Sequence, residues 1–186
     1  MSDAPLPYDQ AQKDARAKLR ARLHESAEDL RAATTATPGG TKLSVKSRIE
    51  ALGFVGQATQ IFDLLPLVQV AWADGGIQPG ERATVLNLLE LRALPPGEAW
   101  TVMETLLEER PSQAYLDASL DVLREVLAER NDDGRTVVGL CIMIAESAGG
   151  FLGISTISKQ EHEMIEKIAA RLGTKAQAEF HARLGA

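Results

Sequence analysis

The sequence has little cysteine, few aromatic residues and no long apolar run. Cys141 is the only cysteine among 186 residues, which excludes an intramolecular disulfide. It lies in the apolar stretch VVGLCIMIA, so we expect a buried, inert thiol. Aromatic residues make up 4% of the chain, while alanine, leucine and glutamate are frequent, a composition that favours helices over sheets. The composition therefore predicts an all-α protein.

The chain also lacks an excess of positive charge. Its formal net charge is -6, which does not provide the basic surface that nucleic acid requires, so we expect no nucleic-acid partner. No segment offers about 18 uninterrupted apolar residues, as a membrane-spanning helix would need. The first residues, MSDAPLPYDQ, contain neither a basic stretch nor an apolar core of a signal peptide. These features predict a cytoplasmic protein without a membrane span.

Punctuating residues predict two parts, residues 1–43 and 44–186. Residues 9–33 form a charged helical pattern that ends at the linker-like TTATPGGT, so the first part reads as an N-terminal helical appendage. The second part reads as a bundle of about seven core helices. Pro66 either kinks one long helix or lies in the first turn of a helix capped by Asp63. The other predicted helices cover residues 45–52, 79–94, 98–110, 112–130, 135–146, 159–172 and 175–184.

Two stretches of the second part resemble each other. VQVAWAD (68–74) and LCIMIAE (140–146) are both apolar helix ends that close on an acidic residue. Beyond the following loops, IQPGERATVLNLLEL (77–91) aligns with ISKQEHEMIEKIAAR (157–171), which places Glu81 opposite Glu161. The second loop is longer and carries GGFLG. The simplest explanation is an internal two-fold repeat of helix-loop-helix units.

The repeat brings four acidic residues into view: Asp74, Glu81, Glu146 and Glu161. Helix capping alone explains the two glutamates at helix starts, where the helix dipole favours negative charge. Asp74 and Glu146 stand at helix ends, where that dipole disfavours them. Asp74 faces Glu81 and Glu146 faces Glu161, and the two pairs form a four-carboxylate cluster if the repeats pack about a pseudo-twofold axis. Such a cluster binds a cation, pairs with basic side chains or raises its own pKa values. Oxygen ligands alone suit a divalent metal ion such as Ca²⁺, Mg²⁺ or Mn²⁺.

Two motifs carry a resemblance to a known family. VAWADGGIQPGER and IAESAGGFLGISTISKQEHEMIEKIAARLG are similar to the two signature regions of the TerB-like tellurite resistance family, and the similarity extends over about residues 54–184. The resemblance implies two related helical halves and a metal-binding acidic cluster. By position, its ligands would be Asp74, Glu81, Glu146 and Glu161. It also implies a role in tellurite resistance and chemical stress response, with protein partners that are often membrane-associated; homo-oligomer formation stays open.

Other patterns predict ordinary structure. HEMIE (162–166) lacks the second histidine of a helical zinc motif, and NDDG (131–134) has a methionine where a calcium loop needs its last acidic ligand, so we interpret them as a surface helix and a turn. Ser155 and Cys141 have no catalytic context. GGFLG is interpreted as a connection with Phe151 and Leu152 tucked inward rather than as an anion cradle.

The leading hypothesis is therefore a non-enzymatic stress-response protein that binds a divalent cation through the four acidic residues. A second hypothesis is a metal-free helical interaction module in which the acidic residues cap helices. A third, an enzyme for metal-assisted hydrolysis, has no nucleophile or pocket pattern in its support.

Overall fold

The computed structural model consists of α-helices. It describes residues 7–35, 43–148 and 157–185, and within these ranges it contains helices and no β-strand. A 3₁₀ helix covers Gly56–Leu64. The all-α prediction is confirmed. The α-helices of the described ranges are α1 (Pro7–Leu23), α2 (Ala27–Thr35), α3 (Val45–Ala51), α4 (Leu65–Ala71), α5 (Pro79–Leu91), α6 (Glu98–Glu108), α7 (Gln113–Glu129), α8 (Arg135–Ser147), α9 (Lys159–Leu172) and α10 (Thr174–Leu184).

The N-terminal segment is two helices, and the single helix predicted over residues 9–33 is wrong. After α1 the chain turns, with the Glu25 amide bonding to the Arg22 carbonyl. Ser26 then caps α2, because its hydroxyl accepts a hydrogen bond from the Asp29 amide at 3.1 Å. The pattern Ser-x-x-Asp is a helix-start signal, but the continuous charged periodicity masked it.

Pro66 lies in the first turn of α4. This position suits proline, whose missing N–H has no partner in the first turn of a helix. Of the two alternatives, the first-turn position is the correct one, but the cap is Leu64 and not Asp63, and the preceding residues form the 3₁₀ helix. The structure therefore selects the first-turn alternative for Pro66 without the capping residue that went with it.

The chain divides into two compact units. The first consists of Met1–Phe62 with Arg92–Ser119, and in it α1 packs on α6 and α2 on α3. The Ser112 amide donates to the Leu23 carbonyl at 2.9 Å, so the end of α1 is tied to the segment that precedes α7. The domain boundary after residue 43 stays a prediction, because compactness does not show which segments fold independently.

The second unit consists of Asp63–Leu91 with Leu120–Ala186. Its centre is α4, every residue of which is buried. A helix that is apolar on all sides must be covered on all sides. The helices that pack on α4 are α5, α8 and α9, and α10 packs on α8 and α9. This arrangement places the starts of α5 and α9 and the end of α8 around one central helix.

Within the ranges given above, no single helix is long and apolar enough to cross a membrane. One pair of helices, Val45–Ala51 and Gly56–Ala71, meets that requirement together by length and composition, with a bend of 93° between them.

The packing of α1 is tested by two glycine variants. Gly53 has φ of +94°, and a Cβ atom there would lie 2.7 Å from the Cα atom of Leu19 on α1. Gly75 has φ of +105°, and no atom in the described part of the chain lies within 4 Å of such an atom. We expect Gly75→Ala to lower the free energy of unfolding by about 1 to 2 kcal/mol through backbone strain, and Gly53→Ala to lower it by a further ~1 to 3 kcal/mol through overpacking.

Urea unfolding of both variants measures the difference. Equal losses would contradict the close approach of α1 to Gly53, because each substitution would then cost only its backbone strain.

Candidate functional site

The start of α5 is held by the side chain of its own third residue. Pro79 occupies the first helical position, and the carboxylate of Glu81 accepts a hydrogen bond from the Gln78 amide at 2.7 Å. This bond satisfies one of the amides that a helix start leaves without an intrahelical partner. The capping function predicted for Glu81 is therefore present.

The start of α9 has the same local design in its complete form. The Glu161 carboxylate accepts from the Ser158 amide at 2.6 Å, and the Ser158 hydroxyl accepts from the Glu161 amide at 3.2 Å, which makes a capping box. The two glutamates thus occupy equivalent third positions of their helices. The duplication of the whole helix-loop-helix unit stays a prediction.

These two glutamates meet each other. Glu81 is 1% exposed and Glu161 is 2% exposed, although both are acidic. They lie close enough together for the negative charge and the side chain of Glu161 to raise the pKa of Glu81. Two ionised carboxylates at this proximity repel each other. A proton or a cation between Glu81 and Glu161 removes that repulsion. The sequence grouped each glutamate with the acid that precedes it, but the buried contact is between the two glutamates.

Burial of the carboxyl raises the pKa of Glu81 from 4.5 to about 7. The hydrogen bond from the Gln78 amide acts in the opposite direction. The negative charges of Glu161 and Asp74 raise the pKa further. Near pH 7, the protonated and the ionised forms of the Glu81 carboxyl are therefore about equally populated.

Asp74 lies exposed in the turn after α4, close enough for its charge to act on Glu81. Its carboxylate accepts a long hydrogen bond of 3.4 Å from the Gly76 amide, a local turn contact. An exposed aspartate has conformational freedom that a buried one lacks. Asp74 is thus the third acidic residue at the site, at its solvent edge.

Glu146 lies exposed in the last turn of α8. The charges that raise the pKa of Glu81 come from Glu161 and Asp74. Among the residues with described positions, no group of three or more histidine, cysteine, aspartate or glutamate residues is placed to hold a metal ion. The geometry therefore brings together two of the four predicted ligands, with a third acidic residue in electrostatic range.

The other motifs singled out in the sequence have ordinary structural roles. The Asp132 carboxylate accepts from the Gly134 amide at 2.9 Å, so NDDG is a turn as predicted. His162 packs on Phe180, with ring centroids 5.0 Å apart. Cys141 is fully buried, and burial raises the pKa of its thiol, as expected of an inert cysteine. GGFLG (149–153) and Ser155 lie outside the described residues.

Sequence reasoning missed Gly80, which stands between Pro79 and Glu81 in the first turn of α5. A Cβ atom at this position would overlap the carbonyl oxygen of Ser147, at the end of α8. A glycine inside a helix costs about 1 kcal/mol relative to alanine. The sequence therefore gave one sign of the close packing at Gly80: a poor helix former stands in the first turn of a helix.

Comparison with protein families decides the family. The model of the family described as "Tellurite resistance protein TerB" matches residues 64–184, which is more than half of the chain. The protein belongs to the TerB family. The matched range contains the start of α5, the start of α9 and all four acidic residues. A search of curated proteins and a search of solved structures find no significant match.

The buried carboxyl pair predicts how the stability of this TerB-family protein depends on pH. Because the pKa of Glu81 is higher in the folded state, about 7, than in the unfolded chain, its protonation stabilises the fold at low pH, and this contribution is lost as the pH rises from about 4.5 through 7. Glu81→Gln keeps the neutral form at every pH. We expect the variant to match the parent near pH 5 and to exceed it by about 1 to 3 kcal/mol near pH 8.

Denaturant unfolding of the metal-free protein across this pH range is the measurement. Asp29→Asn is the control, because Asp29 is an exposed carboxylate in the first turn of α2 that bonds to Ser26. This control should lose stability slightly near pH 8, by up to about 1 kcal/mol, through the helix dipole. A parent whose stability does not fall relative to Glu81→Gln above pH 5 would contradict the raised pKa.

Proposed function

We propose that this TerB-family protein is a non-enzymatic, cytoplasmic stress-response protein that binds a hard divalent cation at the Glu81–Glu161 pair. The observation that carries the proposal is the proximity of two buried glutamates, Glu81 and Glu161, which are 1% and 2% exposed. Buried carboxylates are retained in proteins when a proton, a cationic side chain or a metal ion compensates them. The family match supports the setting in tellurite resistance.

The donor set favours a hard cation. In each glutamate the capping bond from the helix-start amide uses one carboxylate oxygen, Oε2, which leaves the other oxygen for the partner glutamate or for an ion. Carboxylate oxygens are the preferred ligands of Ca²⁺, Mg²⁺ and Mn²⁺, whereas Zn²⁺ prefers cysteine and histidine. Cys141 is buried in α8, and His162 stacks on Phe180. The chemistry of the pair therefore fits a metal ion bound by oxygen.

Two carboxylates do not saturate such an ion, and the exposed acidic residues supply the remainder. We propose that Asp74 and Glu146 turn toward the pair when the cation binds, and that water completes the shell. Mg²⁺ commonly retains several waters beside one or two carboxylates, whereas Ca²⁺ takes six to eight oxygen ligands. The contribution of the protein is to fix two ligands in advance at the dipole-positive starts of two helices, where the carboxylates are already ordered.

A metal-free interaction module is the second candidate, and the capping geometry favours it. Both glutamates accept a hydrogen bond from the amide that precedes their helix, and a proton shared between them would compensate their burial. In this version the pair is a structural element, and the protein acts through contacts with protein partners. Under either candidate function, we propose that the partners include membrane-associated proteins or a second copy of this chain.

Calorimetric titration of chelator-treated protein with Ca²⁺, Mg²⁺ and Mn²⁺ separates the candidates. Near pH 8 we expect saturable binding to the parent and at least a tenfold loss of affinity, about 1.4 kcal/mol, in Glu81→Gln, because one fixed ligand is neutralised. Asp74→Asn and Glu146→Gln should each weaken binding through loss of an edge ligand.

Asp29→Asn is again the matched control and should bind like the parent. The decisive comparison is Glu81→Gln, which is expected to be more stable without metal and weaker in metal binding, two effects that a damaged fold cannot produce together. No heat of binding for any of the three ions would refute the cation site and leave the interaction module.

A further inference from the structure

The first turn of α5 lies directly against the last turn of α8. A Cβ atom on Gly80 would overlap the carbonyl oxygen of Ser147 and would lie 3.2 Å from the carbonyl carbon and 4.0 Å from the Ala148 amide nitrogen. These are backbone atoms of a helix end, so they cannot move aside as a flexible side chain can. Glycine is therefore the residue that allows this approach.

The residue that follows Gly80 is the one that meets α9. Glu81 caps α5 through the Gln78 amide, and it is buried close to Glu161, which lies in the first turn of α9 and is also buried. The start of α5 thus lies against the backbone of α8 at Gly80 and close to Glu161 of α9 at Glu81.

We infer that Gly80 is a positioning residue for the Glu81–Glu161 pair: its lack of a side chain lets the start of α5 settle on the end of α8, and this brings the two carboxyl groups together. The inference extends the proposed function, since the pair is the proposed cation site, but its geometric claim holds with or without a cation. A methyl group at position 80 pushes the first turn of α5 away from Ser147 and separates the pair.

Other glycines of the same unit provide matched controls. A Cβ atom on Gly76 would have no atom of the described residues within 4 Å. A Cβ atom on Gly139, in the middle of α8, would meet the end of the Arg183 side chain at 3.1 Å. Alanine at position 139 therefore changes the same helix as the Ser147 contact without touching the backbone at the start of α5.

A double-mutant cycle tests the inference on the metal-free protein. Near pH 8, Glu81→Gln should raise the folding equilibrium constant about tenfold in the parent, because it removes a buried charge beside Glu161. In the Gly80→Ala background the same substitution should raise it less than about twofold, because the pair is already separated. In the Gly139→Ala background the effect should remain about tenfold.

An equal effect of Glu81→Gln in the parent and Gly80→Ala backgrounds would overturn the inference, since a glycine needed only to avoid a clash would give independent effects. If Gly80→Ala does not fold, amide NMR measures the reverse effect, which is that of changing the glutamate pair on the end of α8. We then expect Glu81→Gln and Glu161→Gln to shift the Ala148 amide resonance, and Asp29→Asn to leave it in place. An unmoved Ala148 resonance would overturn the inference.

Calorimetry with the same three ions separates this inference from the proposed function. Loss of affinity in Gly80→Ala but not in Gly139→Ala supports both. A parent that binds no ion refutes the cation site alone, because the double-mutant cycle is measured without metal. Full cation affinity in a folded Gly80→Ala variant would overturn the positioning role, because the separated pair should no longer hold the ion.

Discussion

The proximity of the buried Glu81 and Glu161 side chains is the constraint on which the candidate site in the second compact unit, Asp63–Leu91 with Leu120–Ala186, depends. Two acidic side chains, each nearly inaccessible to water, lie at the starts of two helices that both pack on α4. Their positions are stable as helix caps, but their proximity is costly unless a proton or a cation is shared. The glutamate that caps the start of each helix thus also contributes to a site that needs a proton or a cation.

Residues outside the pair affect the pKa of Glu81 and the packing at the site. Burial is the main cause of the raised pKa of Glu81, the Gln78 amide opposes it, and the charge of Asp74 adds to it from the solvent edge. Gly80 acts through geometry, because it allows the backbone of α5 to approach Ser147. A site of this kind uses few residues with special chemistry and relies on the packing of three helix ends.

Much of the fold could be predicted from the sequence, because its helix boundaries carry local signals. Pro79 at a first position, Ser158 with Glu161 as a capping box and Gly134 before α8 mark helix starts through backbone conformation and hydrogen bonding within a few residues. The same kind of signal at Ser26 was overruled by a continuous charged pattern, which is why one helix was predicted where two exist. Local chemistry was the better guide there than periodicity.

The candidate site was predictable as a set of residues but not as a geometry. The aligned repeats identified Glu81 and Glu161 as equivalent, yet sequence spacing associated each with the acid of its own loop. How closely α5 packs on α8 is a long-range property, and Gly80 gave only an indirect sign of it. Glu146 shows the same limit, since its position at a helix end was correct while its exposed location depends on how the helix packs.

The most direct test of this account is a carboxyl ¹³C NMR titration of the metal-free protein, with the Glu81 resonance assigned through Glu81→Gln. The account predicts that the Glu81 carboxyl titrates near pH 7 and that its titration changes when Glu161 is replaced by glutamine. A Glu81 carboxyl that titrates near its ordinary value of about 4.5, unaffected by Glu161→Gln, would show that the two groups do not meet.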